Sequence, residues 1–215
     1  MAQHPFVPET LELPGYVSNF LSVTHILAGY GVASLGVVIS VWFLSGKFRH
    51  LIGVERLLMC WWAFTGLTHF ILEGYFVFTP DFYKKTTPIF LAEVWKEYSK
   101  GDSRYAARDS AVVVVEGITS VLEGPASLLA VYAIATRKPY RDPLQLAVCL
   151  GQLYGCIVYF VTAQLDGIEY AVGPFYYWFY YIFMNYIWVV IPSIIAWRSW
   201  RRIVHQFENK RGKSM

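Results

Sequence analysis

LLMCWWAFTGLTHFILEGYFVFT, Leu57–Thr79, is long enough to cross a bilayer, yet it holds a histidine and a glutamate four residues apart, His69 and Glu73. A span needs about 20 mainly apolar residues. Four further stretches of that kind follow from the same reading: Val23–Ser45, Ser110–Ile134, Pro143–Thr162 and Pro174–Trp197. Together the five contain three charged side chains, Glu73, Glu116 and Glu123, and no Lys or Arg. The whole chain agrees: of 215 residues, 56% are hydrophobic, 18% aromatic and 15% charged. Soluble domains average roughly 25% charged. Intrinsic disorder and an ordinary soluble globule are excluded, and a net charge of +3 does not suggest a nucleic-acid partner. The expected fold is all-α: a polytopic membrane protein with a five-helix transmembrane bundle.

The first 22 residues lack a basic n-region and carry Pro5, Pro8 and Pro14, so they read as an arm before a retained anchor, not as a cleavable signal. Basic residues sort by loop. Lys47, Arg49 and Arg56 follow the first span, and Arg137, Lys138 and Arg141 follow the third. Arg198, Arg201, Arg202, Lys210, Arg211 and Lys213 follow the last. The positive-inside rule places these in the cytoplasm and the N-terminal arm on the other side. The second loop dissents, with Lys84, Lys85, Lys96, Lys100, Arg104 and Arg108, but it also holds five acids and reads as folded. Within it, FLAEVWKEYS (Phe90–Ser99) has Leu91, Val94, Trp95 and Tyr98 near one face, which predicts a short amphipathic helix on the membrane or capping the bundle, broken at Gly101. The organisation is then an arm over 1–22, a first span and loop over 23–56, a helical core over 57–197 and a basic tail over 198–215.

Counting from the bundle end that carries the second loop, Glu73 and Glu116 each lie six residues deep, Thr119 nine, His69 ten and Asn185 eleven. Helical spacing puts His69 and Glu73 on one face, and Glu116, Thr119 and Glu123 on one stripe. Three helices thus place polar groups in one layer near mid-membrane. Such groups are costly there and mark function, although His, Asn and Thr also serve as interhelical glue. With no intramembrane cation among the spans, each acid is protonated, held by His69, or ready for a cationic guest. An aromatic-walled, acid-lined cavity suits a cationic ligand or a reaction with a cationic intermediate. Glu123, about 10 Å beyond Glu116 by helix rise, is expected to be structural or to act as a gate. No metal-ligand spacing and no glycine-rich phosphate loop occur, and no cofactor is expected. Cys60, Cys149 and Cys156 read as packing residues, and Gly66, Gly74, Gly117 and Gly124 as helix-contact sites.

GLTHFILEGYF (Gly66–Phe76), WKEYSKGDSRY (Trp95–Tyr105), EGIT (Glu116–Thr119), QLYG (Gln152–Gly155) and YIFMNYIW (Tyr181–Trp188) resemble the emopamil-binding protein family, whose shared module is called EXPERA. The resemblance runs from about Leu57 to Trp197, and LPGYV (Leu13–Val17) is similar to plant members. It implies a sterol cavity among five helices and a Δ8–Δ7 isomerase of sterol biosynthesis in the endoplasmic reticulum. Carbon 9 of a Δ8-sterol is protonated, a cation forms at carbon 8, and a proton leaves carbon 7, with no cofactor. Carried over by motif, His69, Glu73, Glu116, Thr119 and Asn185 are the catalytic candidates, and Trp188, Trp95, Tyr98 and Tyr105 line the substrate site. Hydrophobic amines are implied as ligands because they resemble the cation. Glu123 stands where the family pattern leads one to expect an uncharged residue.

Two other readings compete. One is a non-catalytic sterol or amine receptor, a role other EXPERA proteins have; the complete acid–base set argues against it. The other is a proton-coupled transporter, which would show paired repeats and broken helices; Pro125 and Pro192 are single interruptions, and no repeat is visible. Small residues on the spans are compatible with a homodimer.

Overall fold

The computed structural model describes residues 4–212, with side chains through Asn209. Among these residues all regular structure is helical. We number the principal helices α1 (Val23–Ser45), α2 (residues 53–78), α3 (Phe90–Tyr98), α4 (Arg104–Ala107), α5 (Ser110–Ala135), α6 (Arg141–Asp166) and α7 (from Tyr176, running to Gly212). Helices α1, α5, α6 and α7 are each long and apolar enough to cross a membrane. The fifth, α2, is continuous in path but built from three pieces: an α-helix Gly53–Leu67, a π-helical stretch Thr68–Glu73 and an α-helix Gly74–Phe78. The chain is a multi-pass membrane protein.

The first span ends where expected. The second begins four residues earlier than Leu57, at Gly53, and the fourth extends at both ends, to Arg141 and Asp166. The last helix does not stop at Trp197 but runs unbroken to Gly212, through the basic segment; Lys213 lies outside the described residues. Pro192 is carried inside it.

Helix ends follow local chemistry. The Ser22 hydroxyl accepts from His25 N at the start of α1, and Asp109 Oδ1 accepts from Ala111 N and Val112 N at the start of α5, at 3.0 and 3.1 Å. Both supply acceptors to otherwise orphaned N–H groups. Gly167, at φ 63°, closes α6 in the left-handed conformation that glycine adopts without strain.

Two apolar cores sandwich a polar layer. One joins Leu58, Met59, Trp62, Ala130, Ile134, Val148, Cys149 and Ile195; the other joins Phe76, Phe82, Ala92, Trp95, Tyr105, Val112 and Tyr159. Between them, α2 and α5 cross closely at Gly66 and Gly124: a Cβ on Gly66 would meet Ser127 Cβ at 3.0 Å, and one on Gly124 would meet Phe70 N at 3.1 Å. Gly74 and Gly117 have only ordinary contacts, so close approach requires two of the four glycines singled out.

Helix α3 caps the bundle. It is covered on both faces, unlike an interfacial helix, because the N-terminal arm lies across its polar side. Glu93 and Lys96, both fully buried, pair at 2.6 Å. Glu93 Oε2 accepts from Phe20 N (2.6 Å) and Leu21 N (3.0 Å), and Asn19 Nδ2 donates to Glu93 O at 2.9 Å. Phe6, Leu13 and Tyr16 of the arm form a third small core with Ala106. The basic residues of this loop are largely matched: Lys84–Asp81, Lys96–Glu93, Lys100–Glu97 and Arg104–Asp102 are ion pairs, and Arg108 donates to the Phe76 and Val77 carbonyls at the end of α2.

Candidate active site

The polar layer opens into a cavity lined by all five spans and by α3 and α4. His69, Glu73, Glu116, Thr119, Asn185, Trp188, Trp95, Tyr98 and Tyr105 all line it, so every site residue expected from the sequence comes to one place.

π-helical turns shape this place. Thr68–Glu73 on α2, Thr119–Glu123 on α5 and Tyr176–Met184 on α7 are all wound wide. Those of α2 and α5 pack against each other. The one on α5 runs into Pro125, whose missing N–H and bulky ring disfavour a tight preceding turn. Each wide turn inserts an extra residue and frees carbonyls for side-chain donors. Trp95 Nε1 donates to Leu72 O at 2.8 Å, and Asn185 Nδ2 to Tyr181 O at 2.9 Å.

Each acid is held by its own partners. His69 Nδ1 and Glu73 Oε1 are 2.6 Å apart. The one hydroxyl proton of Thr119 has two acceptors within reach: Glu73 Oε2 at 2.5 Å and the Glu116 carbonyl at 2.9 Å. Tyr105 OH donates to Glu116 Oε1 at 2.6 Å, so Tyr105 is more than an aromatic wall. Trp95, Tyr98 and Tyr105 pack with ring centroids 5.0–5.6 Å apart. Asn185 reaches the cavity, but its amide is directed to Tyr98 OH at 3.0 Å and not to a carboxyl group.

Two contributors escaped the sequence reading. Thr65 Oγ1 lies 3.1 Å from His69 Nε2 and accepts from Trp188 Nε1 at 3.0 Å; Gln152 Nε2 lies 2.9 Å from His69 Nε2. Both had a signal. Thr65 is four residues before His69 on the same helix face, and Gln145, Gln152 and Tyr159, spaced by seven on α6, form one buried stripe.

Glu123 does not share the Glu116 stripe. Seven residues return to nearly the same face of an α-helix, but the wide turn between them rotates Glu123 away by roughly one residue, about 100°. It is buried outside the cavity lining, where a Cβ on Gly151 would stand 2.4 Å from its Oε1. Cys60 and Cys149 are buried between helices and Cys156 lines the cavity; all three are free.

Chemically, the site offers two carboxyl groups and one imidazole on the wall of an otherwise apolar, aromatic chamber. Such a wall can hold a proton at one point and accept one at another. A sequence profile of the EXPERA (EXPanded EBP superfamily) family matches residues 90–199. The chain is 58% identical to a rice protein named probable 3-beta-hydroxysteroid-Delta(8),Delta(7)-isomerase, over 98% of this chain and 97% of that one. It is 60% identical to an Arabidopsis thaliana protein of the same name, over 93% and 89% of the two chains. An isomeliandiol synthase from Melia azedarach is 45% identical over 93% of this chain and 94% of its own. On its motifs, its cavity and these relatives, the chain belongs to the EXPERA family.

Proposed function

We propose that this protein is a 3-beta-hydroxysteroid Δ8–Δ7 isomerase that moves a ring double bond within the membrane. The observation that carries the reading is the Glu73–Thr119–Glu116–Tyr105 array facing an apolar chamber, supported by the naming of relatives at 58% and 60% identity. The substrate is an apolar sterol reached from the bilayer, and the reaction is proton-neutral. One proton is added at carbon 9, positive charge develops at carbon 8, and the electrons of the carbon 7–hydrogen bond form the new double bond as that proton leaves to a base.

His69 with Glu73, and Glu116 with Thr119, serve as the acid–base groups. Neighbouring carboxyl groups and the faces of Trp188 and the cap aromatics oppose the positive charge of the intermediate. Asn185 and Tyr98 orient each other at the wall, and Trp95 and Tyr105 complete it. The same features suit hydrophobic amines, whose ammonium stands where the cation would. We place the protein in the endoplasmic reticulum membrane with the N-terminal arm away from the cytoplasm, the segments 1–22, 23–56, 57–197 and 198–215 serving as arm, anchor, core and tail, and a homodimer as its assembly.

The test is conversion of a Δ8-sterol by membranes containing this protein, run in deuterium oxide. A Δ7 product with one deuterium at carbon 9 is expected. Tight sterol or amine binding with no conversion would instead favour a non-catalytic receptor.

A further inference from the structure

His69 is the one histidine in the cavity, and the direction in which it offers its proton depends on which ring nitrogen carries it. Nδ1 faces Glu73 Oε1 at 2.6 Å. Nε2 faces Thr65 Oγ1 at 3.1 Å and Gln152 Nε2 at 2.9 Å. The hydrogen bond made by one imidazole nitrogen determines the state of the other.

Counting donors decides the matter. An indole N–H only donates, so Trp188 Nε1, at 3.0 Å, occupies one lone pair of Thr65 Oγ1. Gln152 Nε2 lies 3.2 Å from the same oxygen and, closer, 2.9 Å from His69 Nε2. An amide nitrogen only donates. Nε2 therefore faces the Gln152 amide as a donor, in a place where Thr65 is fully buried and Gln152 nearly so. A protonated Nε2 there would set N–H against N–H.

We propose that Thr65 and Gln152 are positioning residues that hold His69 in the Nδ1–H tautomer and so direct its single proton at Glu73. The chain begins at Trp188: its indole takes one lone pair of the Thr65 hydroxyl, which lies against Nε2 beside the Gln152 amide that commits the imidazole. Glu73 thereby receives a hydrogen bond from His69 on one oxygen and from Thr119 on the other, which orients the carboxyl group while each oxygen keeps a lone pair for a proton. The inference rests on the isomerase reading for its catalytic consequence, but the tautomer itself is a property of the resting protein.

Two measurements test it. In full-length protein labelled with 15N-histidine in lipid nanodiscs, the His69 signals, assigned by their loss in His69→Asn, should show Nδ1 protonated and Nε2 bare. Any state with Nε2 protonated in the wild type overturns the proposal. In the turnover assay, Thr65→Val and Gln152→Leu should each lower kcat by about 10- to 100-fold, the size of outer-partner effects on histidine, with KM altered less than about threefold. Thr65→Ser restores the hydroxyl and should recover turnover. Wild-type turnover in Thr65→Val, or a loss confined to KM, overturns the positioning role. A wild-type protein that turns over no Δ8-sterol counts against the isomerase reading, and the 15N spectrum then decides the tautomer by itself.

Discussion

Thr119 Oγ1 lies 2.5 Å from Glu73 Oε2 although 46 residues separate them in the chain. The contact joins the π-helical turn of α2 to that of α5, and ties the His69–Glu73 pair to the turn that follows Glu116. Neither helix alone presents two acids to the cavity. The bridge makes the site a property of the crossing between them, held close by Gly66 and Gly124.

Glu73→Gln and Glu116→Gln should each reduce Δ8-sterol conversion by about 10²–10⁴-fold, the usual contribution of one acid–base group. Both changes preserve shape and remove only ionisation, so thermal unfolding in detergent should stay close to the wild type. Near-normal conversion by either variant would assign that residue to interhelical bonding.

Tyr105→Phe keeps the ring and removes only the hydroxyl that donates to Glu116 Oε1 at 2.6 Å. A hydrogen bond contributes about 0.5–1.5 kcal/mol, rising to about 1.5–3 kcal/mol where the partner becomes charged, as Glu116 does on giving up its proton. A fall in kcat of about 10- to 100-fold is expected, with amine binding retained. An unchanged kcat would reduce Tyr105 to a wall residue.

Trp188→Ala should weaken tertiary-amine ligands more than neutral sterols. A cation over an indole face in a dry site gains about 2 kcal/mol, or about 30-fold, whereas a neutral sterol loses mainly contact area. Competition binding with one ligand of each kind measures the difference, and equal losses would remove the cation–π role.

Glu123→Gln should keep most activity, because this side chain points at Gly151 and not into the cavity. Gly151→Ala is the complementary change: a Cβ 2.4 Å from Glu123 Oε1 forces a shift, and overpacking of this kind costs about 1–3 kcal/mol. Lowered thermal stability in Gly151→Ala, with turnover per folded molecule intact, is the expected pattern. Loss of turnover in Glu123→Gln equal to that of Glu116→Gln would move Glu123 into the proton-transfer set.

Lys96→Met leaves Glu93 buried without its cation, where both partners are now fully enclosed. Breaking a buried pair from one side costs about 3–5 kcal/mol. The N-terminal arm, which Glu93 holds through Phe20 N and Leu21 N, should become sensitive to limited proteolysis in that variant. A variant as stable and as protected as the wild type would show that the arm is held by Phe6, Leu13 and Tyr16 alone.

The spans and the residues that line the cavity were legible in the chain itself. Apolar length and the scarcity of charge are local properties, and a carboxyl group within such a run has few places to be. The motif HFILE around Glu73 and the order of motifs after it carried the family. Tertiary structure alone decided the rest. The wide turns at Thr68–Glu73 and Thr119–Glu123 rotate the following residues by about one position, so the seven-residue spacing that appeared to align Glu123 with Glu116 does not. The amphipathic pattern of Phe90–Ser99 does not show that the arm closes over Glu93 and Lys96. Thr65 and Gln152 are ordinary polar residues until α2, α6 and α7 bring them to one nitrogen of His69. Periodicity assigns a side chain to a face of its own helix; which donor meets which acceptor depends on the neighbouring helix, and that is set by the way the whole bundle packs.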